Sequence, residues 1–290
     1  MGGYFLNSEY LPLKAVLLCK PFFELSGAYN TKRALHKKRI DYLILNKEIQ
    51  VIAGTYKKLG IRVHFMDPGW ISGTDKRCAF NIMFARDIFF MTAKGGILSS
   101  MAAIVRRDET KYAQRSLKRL GVPVRQVFRD NATFEGADAL WVNPRLVAVG
   151  VGNRTNESGF RQLKEVLKRD GVKCARLPAP RGTLHLLGTI QLINKNLALT
   201  RSGVDPRIEG FLKENKIKFV EIPEGNEVKN KQAFNFVTVA PKTVIMPALC
   251  PRTKILLRGH GVKVAAEVPI TQLVNGGGGL ACATGVLARA

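Results

Sequence analysis

One thiol, one imidazole and one carboxylate in this sequence have the types a covalent reaction needs: Cys282, His185 and Glu135. A thiolate is a competent nucleophile, but a free cysteine has a pKa of about 8.5 and requires a nearby cation, base or dipole to act near neutrality. His185 would give that help and carry protons. The run Gly276, Gly277, Gly278, Gly279 precedes the thiol, removing side chains where a ligand would approach and leaving backbone amides accessible. His185 stands among Leu184, Leu186 and Leu187, a setting that ordinarily holds a satisfied core histidine. Glu135 opens Glu-Gly-Ala-Asp, with a second carboxylate at Asp138. Arg86 and Asp87 interrupt the apolar residues 84–90, read here as a strand, on which adjacent side chains face opposite ways and do not pair directly.

These residues are distant in sequence, so repeated structure must bring them together. One pattern recurs five times: basic residues, a turn position, then an alternating apolar strand. The turn positions are Gly60, Gly121, Gly171, Lys216 and Gly261, spaced 61, 50, 45 and 45 residues apart. Cations in a last helical turn complement the carbonyl end of the dipole, and glycine is favoured in the left-handed position just beyond, so each copy marks a helix end feeding a strand. The preceding stretches have helical spacing, as with Phe160, Leu163 and Leu167. Paired apolar segments lie between them: 81–91 with 96–101, 139–142 with 146–151, 186–193 with 197–200, and 234–240 with 243–246. Turns at Asn143-Pro144-Arg145, Asn194-Lys195-Asn196 and Pro241-Lys242 make these hairpins. The unit is two strands, a helix and a strand.

Aligning the strand that opens each hairpin puts Asn81, Glu135, His185 and Asn235 in one slot, 54, 50 and 50 residues apart. Glu135 and His185 each lie 14 residues past the preceding turn position (121 to 135, 171 to 185). Asn81 and Cys282 each lie 21 past theirs (60 to 81, 261 to 282). Five units can stack openly or close. In a closed pseudo-fivefold ring, equivalent slots face one axis, and the thiol, imidazole and carboxylate converge there.

The expectation is therefore an α/β propeller of five blades, a single catalytic domain over residues 1–290 with 46% hydrophobic residues to fill its core. The cysteines Cys19, Cys78, Cys174, Cys250 and Cys282 form no C-x-x-C pair, so neither zinc nor a disulfide framework is indicated, and the first four read as buried small hydrophobes. No apolar run approaches the roughly 20 residues of a membrane span. Asn7, Ser8 and Glu9 stand where a signal peptide would be apolar, which makes the cytoplasm the default. The net charge of +24 invites contact with nucleic acid. Its residues, however, recur in helix-like stretches (111–119, 161–169, 213–218), as in a solvated shell rather than a single groove. Such a field would also concentrate an anionic substrate. Association into a homo-oligomer is left open.

The segments Asn-Ile-Met-Phe-Ala-Arg-Asp (81–87), Phe-Glu-Gly-Ala-Asp (134–138), Val-Gly-Asn-Arg-Thr-Asn (151–156), Leu-His-Leu (184–186) and Gly-Gly-Gly-Gly-Leu-Ala-Cys (276–282) resemble the guanidine-modifying penteins. With residues 8–21, the resemblance spans essentially the whole chain. That superfamily includes arginine deiminases, dimethylarginine dimethylaminohydrolases and amidinotransferases. The resemblance implies a five-bladed α/β propeller and an arginine-like small-molecule substrate carrying a guanidino group. It implies a reaction through a thiouronium-type intermediate that needs no metal or organic cofactor. By matching motif, Cys282 would be the nucleophile, His185 the general acid and base, and Glu135 its orienting carboxylate. Asp87 would anchor guanidinium nitrogens and Arg154 hold the substrate carboxylate, with Asn81 and Arg86 as further candidates for substrate contact.

Two positions differ from the family pattern. Leu187 stands two residues after His185, where deiminases and amidinotransferases have aspartate and dimethylarginine hydrolases do not. Ser100 follows Ser99 where the family usually has an arginine. The alternative reading is a non-enzymatic pentein-like module contacting RNA through its basic surface. Intact Cys282, His185 and Glu135 favour the enzyme.

Overall fold

The computed structural model describes residues 3–20, 29–66, 79–179 and 182–290; Cys78 and the last residue of the matched segment 8–21 lie outside them. The main helices are α1 (Tyr42–Lys58), α2 (Glu109–Arg119), α3 (Glu157–Arg169), α4 (Pro206–Glu214) and, after a short α5 (Asn226–Lys231), α6 (Pro251–Gly259). Apart from α5, each ends two residues before a left-handed position: Gly60, Gly121, Gly171, Lys216 and Gly261 have φ of 73°, 70°, 76°, 57° and 72°. Each of these helices also carries lysine or arginine in its last turn, as dipole complementarity requires.

Helix α3 shows the local logic. Asn156 caps it by accepting the Gly159 amide at 2.8 Å. Phe160, Leu163 and Leu167 form the buried stripe, each side chain contributing about 1.5–3 kcal/mol by leaving water. The same Asn156 accepts the Thr133 amide at 3.1 Å, so the cap also holds the segment that leads to Glu135.

Strands β1 (Leu13–Leu18) and β2 (Arg62–Phe65) flank α1, and four ββαβ units follow. They are β3 (Phe89–Thr92), β4 (Gly95–Leu98) and β5 (Val124–Arg125); β6 (Ala139–Asn143), β7 (Leu146–Val151) and β8 (Lys173–Pro178); β9 (Ile190–Asn194), β10 (Leu197–Arg201) and β11 (Lys218–Ile222); and β12 (Val237–Ala240), β13 (Thr243–Pro247) and β14 (Lys263–Val268). Each unit is an antiparallel hairpin whose second strand pairs in parallel with the third across the helix. The hairpin turns fall where expected, and Asn143 and Asn194 each accept the amide two residues on at 2.9 Å.

Past α7 (Thr271–Asn275) and α8 (Leu280–Ala283) the chain ends in β15 (Gly285–Arg289). This strand pairs antiparallel with β1, Val16 opposite Val286, completing the fifth three-stranded sheet among the described residues. The sheets close a ring: β15 packs on β3, β3 on the 3₁₀ turn Gly136–Asp138, that turn on the 3₁₀ turn Leu186–Gly188, β9 on β12, and β12 on β1. The closed five-bladed α/β propeller is thus observed. No helix among the described residues is long and apolar enough to cross a membrane.

The hairpins begin later than their apolar content suggested. Residues 81–87 turn, with the Phe84 amide on Asn81 O at 2.9 Å and the Asp87 amide on Phe84 O at 3.2 Å. Glu135 and His185 likewise precede their strands, their carbonyls accepting the amides three residues on (Asp138 at 2.9 Å, Gly188 at 3.0 Å). The polar slot therefore lies at the mouth of each inner strand, not within it.

Candidate active site

The segments entering the inner strands carry the polar slot: Asp87 before β3, Glu135 before β6, His185 before β9, Asn235 before β12 and Cys282, in α8, before β15. Asp87, His185, Asn235 and Cys282 line one cleft of about 510 Å³. Fully buried Glu135 receives His185 Nε2 on its Oε2 at 2.7 Å. Asp87 Oδ1 stands 3.8 Å from His185 Nδ1 on the other side of the ring, and it has no hydrogen-bond partner. In blade two it is thus Asp87, rather than Asn81, that occupies the slot. Asn81 also lines the cleft, yet its side chain donates to Ala34 O at 2.7 Å and its amide to Glu109 Oε1 at 3.0 Å.

Glycine makes these approaches possible. The Gly136 amide donates to Asp87 O at 2.7 Å, and a Cβ there would stand 2.2 Å from Phe89 O, so only glycine lets the Glu135 turn press on the Asp87 turn. In the four-glycine run, a Cβ on Gly278 would meet Phe84 at 2.4 Å and one on Gly279 would meet Asn235 at 2.8 Å. The run is close packing against the cleft floor. Asn235 exploits it, accepting the Ala281 and Cys282 amides on Oδ1 at 2.7 and 3.2 Å and donating Nδ2 to Cys282 Sγ at 3.2 Å.

A buried cation that the sequence pattern does not announce completes the cluster. Arg106, at the end of the 3₁₀ turn Ile104–Arg106, donates to Asp87 Oδ2 at 2.7 Å and to Glu109 Oε2 at 2.8 Å, and lies 3.9 Å from Glu135 Oε2. Its only sequence signal is the Arg-x-x-Glu spacing of Arg106 and Glu109 at the start of α2, a few residues past Ser99 and Ser100. Those serines tie the turns together instead. Ser99 Oγ donates to Asp87 O at 2.6 Å, and the Ser100 and Phe134 backbones exchange hydrogen bonds.

Arg154 lines the cleft, with Nη1 3.6 Å from Glu135 Oε1. Its loop is fixed from behind by Thr155, which donates to Asp138 Oδ2 at 2.8 Å, while Asp138 Oδ1 accepts the Leu186 amide at 3.0 Å and so positions the His185 turn. Arg86 corrects the expectation of a substrate contact. It turns away from the cleft, 5% exposed, and donates to Glu9 Oε1 at 2.7 Å. Adjacent Arg86 and Asp87 do avoid each other, each finding its own partner of opposite charge. Among the other cysteines described, Cys19 and Cys250 are buried and Cys174 is half-buried.

Burial pushes the His185 imidazole down, but Asp87, the Glu135 hydrogen bond and Asp138 outweigh it and raise the pKa to about 9, leaving an imidazolium at neutral pH. Burial opposes the Glu135 charge, yet His185 and Arg106 hold its carboxyl below the usual range. Burial pushes the Cys282 thiol up to about 11, with Asp87 adding to the rise and the Gly279 and Asn235 hydrogen bonds opposing it. At neutral pH this thiol is protonated. Asp87, Glu135 and His185 bring potential metal-ligand atoms within 4.8 Å of one another. The fixed Arg106 guanidinium, 2.7 Å from Asp87, would repel a divalent ion there. The open acceptor Asp87 Oδ1 suits a planar cation with N–H donors.

The sequence pattern of the family described as arginine deiminase matches residues 79–205 and 197–289. A protein of Aeropyrum pernix is 26% identical over 186 residues, so the match spans 64% of this chain and 64% of that protein. N(G),N(G)-dimethylarginine dimethylaminohydrolase of Pseudomonas aeruginosa is 27% identical over 202 residues, 69% of this chain and 74% of that enzyme. Its structure complexed with citrulline superposes with a TM-score of 0.75 at 19% identity, covering 96% of this chain and all of that one. The N-terminal domain of ArgZ, an arginine dihydrolase from cyanobacteria bound to substrate, gives a TM-score of 0.78 at 18% identity, over 95% of this chain and 98% of the other.

Proposed function

The chain belongs to the arginine deiminase family, and from that premise we propose that it is a cysteine-dependent enzyme attacking the guanidinium carbon of an arginine-like small molecule. The five blades would act as one catalytic domain. The reading closest to the site is a hydrolase of the dimethylarginine dimethylaminohydrolase kind, because apolar Leu187 lines the cleft two residues after His185. A guanidino nitrogen bearing methyl groups would meet carbon there instead of a second carboxylate. The observation that carries the proposal is the unpartnered Asp87 Oδ1 beside His185 and on the same cleft as Cys282.

The steps follow from the charges. A guanidinium donating to Asp87 neutralises the carboxylate that helps hold the thiol neutral, so binding favours release of the Cys282 proton to solvent and leaves the thiolate. Sulfur then attacks the guanidinium carbon, the bond from that carbon to the leaving nitrogen breaks, and the imidazolium of His185 delivers the proton that makes it a free amine. Neutral His185 next takes a proton from the second nucleophile, water for a hydrolase or an amine for an amidinotransferase. That nucleophile displaces the sulfur from the thiouronium carbon. Glu135 and Arg106 hold the imidazole and Asp87 in place throughout, so the site is preorganised. Arg154, on the cleft wall, would receive the substrate carboxylate.

The test is a screen of arginine, methylarginines, agmatine and guanidino acids, read as released ammonia or amine and a urea-type product. At least one compound should turn over with the wild type and none with Cys282→Ser. Absence of turnover on every compound, with and without an added amine acceptor, would refute the proposal.

A further inference from the structure

Leu187 lines a second, smaller cavity besides the cleft, deeper along the ring's axis. Its walls come from the inner strands, through Leu140, Leu192, Val237 and Val286. Three charged side chains reach it among the described residues: Glu9, Arg86 and Arg289. One carboxylate therefore faces two guanidinium groups. Glu9 is already committed, accepting Arg86 Nη2 at 2.7 Å and the Trp141 amide at 3.3 Å on one oxygen. Arg289 has no ion-pair partner within salt-bridge distance among the described residues. It is 3% exposed, its Nη1 donates to Leu11 O at 2.7 Å, and its buried Nε has no hydrogen-bond partner.

From this imbalance we infer that the cavity is a binding site for a single monatomic anion of the chloride type, held by Arg289 Nε. A buried guanidinium without a counter-charge is costly, and buried donors are normally satisfied. Burial lowers the Arg289 pKa to about 10, the signature of a cation short of partners, although Glu9 counters part of the effect. Size favours a compact occupant: about 20 Å³ is room for one small particle, less than a carboxylate, phosphate or sulfate fills. The site is separate from the guanidino reaction. The Arg86 amide nonetheless donates to Cys282 O at 3.0 Å, so an anion that settles this base also settles the turn bearing the nucleophile.

The experiment uses the full chain. Tm is followed in sodium chloride, sodium bromide and sodium gluconate at constant ionic strength, and crystals grown in bromide are measured at the bromine edge. A saturable Tm rise of a few degrees with either halide over gluconate is expected, together with an anomalous peak within hydrogen-bonding reach of Arg289 Nε. Arg289→Met, which keeps the aliphatic stem, should lose the halide-specific rise. If that variant does not fold, the wild-type Tm series and the bromide peak decide alone. Equal Tm in all three salts, or density in the cavity without an anomalous signal, would mean that the occupant is water and overturn the inference.

Discussion

His185 Nε2 donates to Glu135 Oε2 at 2.7 Å, although fifty residues separate the two in sequence, because each stands just before the inner strand of consecutive blades. The equality of their offsets from the preceding helix ends is what made the pairing foreseeable. It also makes the charge state of the imidazole a property of the fold.

A pH dependence follows with a definite sign. The His185 pKa is raised from 6.5 to about 9 in the folded protein, so its stabilisation is complete below about pH 6.5 and is lost as pH rises through 9. The stability gap between wild type and His185→Gln, from urea unfolding, should narrow between pH 6 and pH 10 by up to roughly 3 kcal/mol. A gap that is constant with pH would show that His185 is not held as the imidazolium.

Asp87→Asn should act in two directions at once. Removing the charge that helps raise the Cys282 pKa should speed iodoacetamide labelling of Cys282 in the free protein at pH 8. The same change deletes the acceptor facing the substrate cation and should weaken guanidino-ligand binding about tenfold or more, since a charge-assisted hydrogen bond contributes roughly 1.5–3 kcal/mol. Unchanged labelling and unchanged affinity would assign Asp87 to structure alone.

Arg106→Gln leaves Glu109 buried without its cation and Asp87 with only the more distant His185 imidazolium. Breaking such a pair costs about 3–5 kcal/mol, so denaturant midpoints should fall sharply and any folded fraction should bind substrate poorly. A variant with wild-type stability would mean the cluster has another source of positive charge.

Lys216 is the one non-glycine among the five left-handed turn positions, at φ 57°. Lys216→Gly should relieve that strain. After the glycine's own entropy cost, it should raise unfolding free energy by about 0.5–1 kcal/mol with activity unchanged. A loss of stability would show that the lysine makes a compensating contact.

What the sequence made legible was periodic. The turn positions, the hairpin turns and the Glu135–His185 offset all repeat with the blades, and repetition survives without an alignment. What it concealed was not periodic. Arg106 comes from a 3₁₀ turn outside the repeat, and its role depends on two carboxylates brought to it by other elements. Arg86 is adjacent to Asp87 yet faces Glu9, a partner 77 residues earlier that no local pattern announces. Asn81 took the place of Asp87 in the alignment because residues 81–87 form turns, where strand counting fails. The closing of the ring by β15 on β1 joins opposite ends of the chain, beyond the reach of any local spacing rule.

The proposed chemistry turns on a bond between the Cys282 sulfur and the guanidinium carbon. Rapid acid quench of a reacting mixture, followed by intact-mass measurement and peptide mapping, looks for that bond itself. The expected result is a transient adduct with the mass of the substrate less its leaving amine, confined to the peptide bearing Cys282 and absent from Cys282→Ser. Continued turnover by Cys282→Ser, or an adduct that maps to any of the other four cysteines, would contradict it.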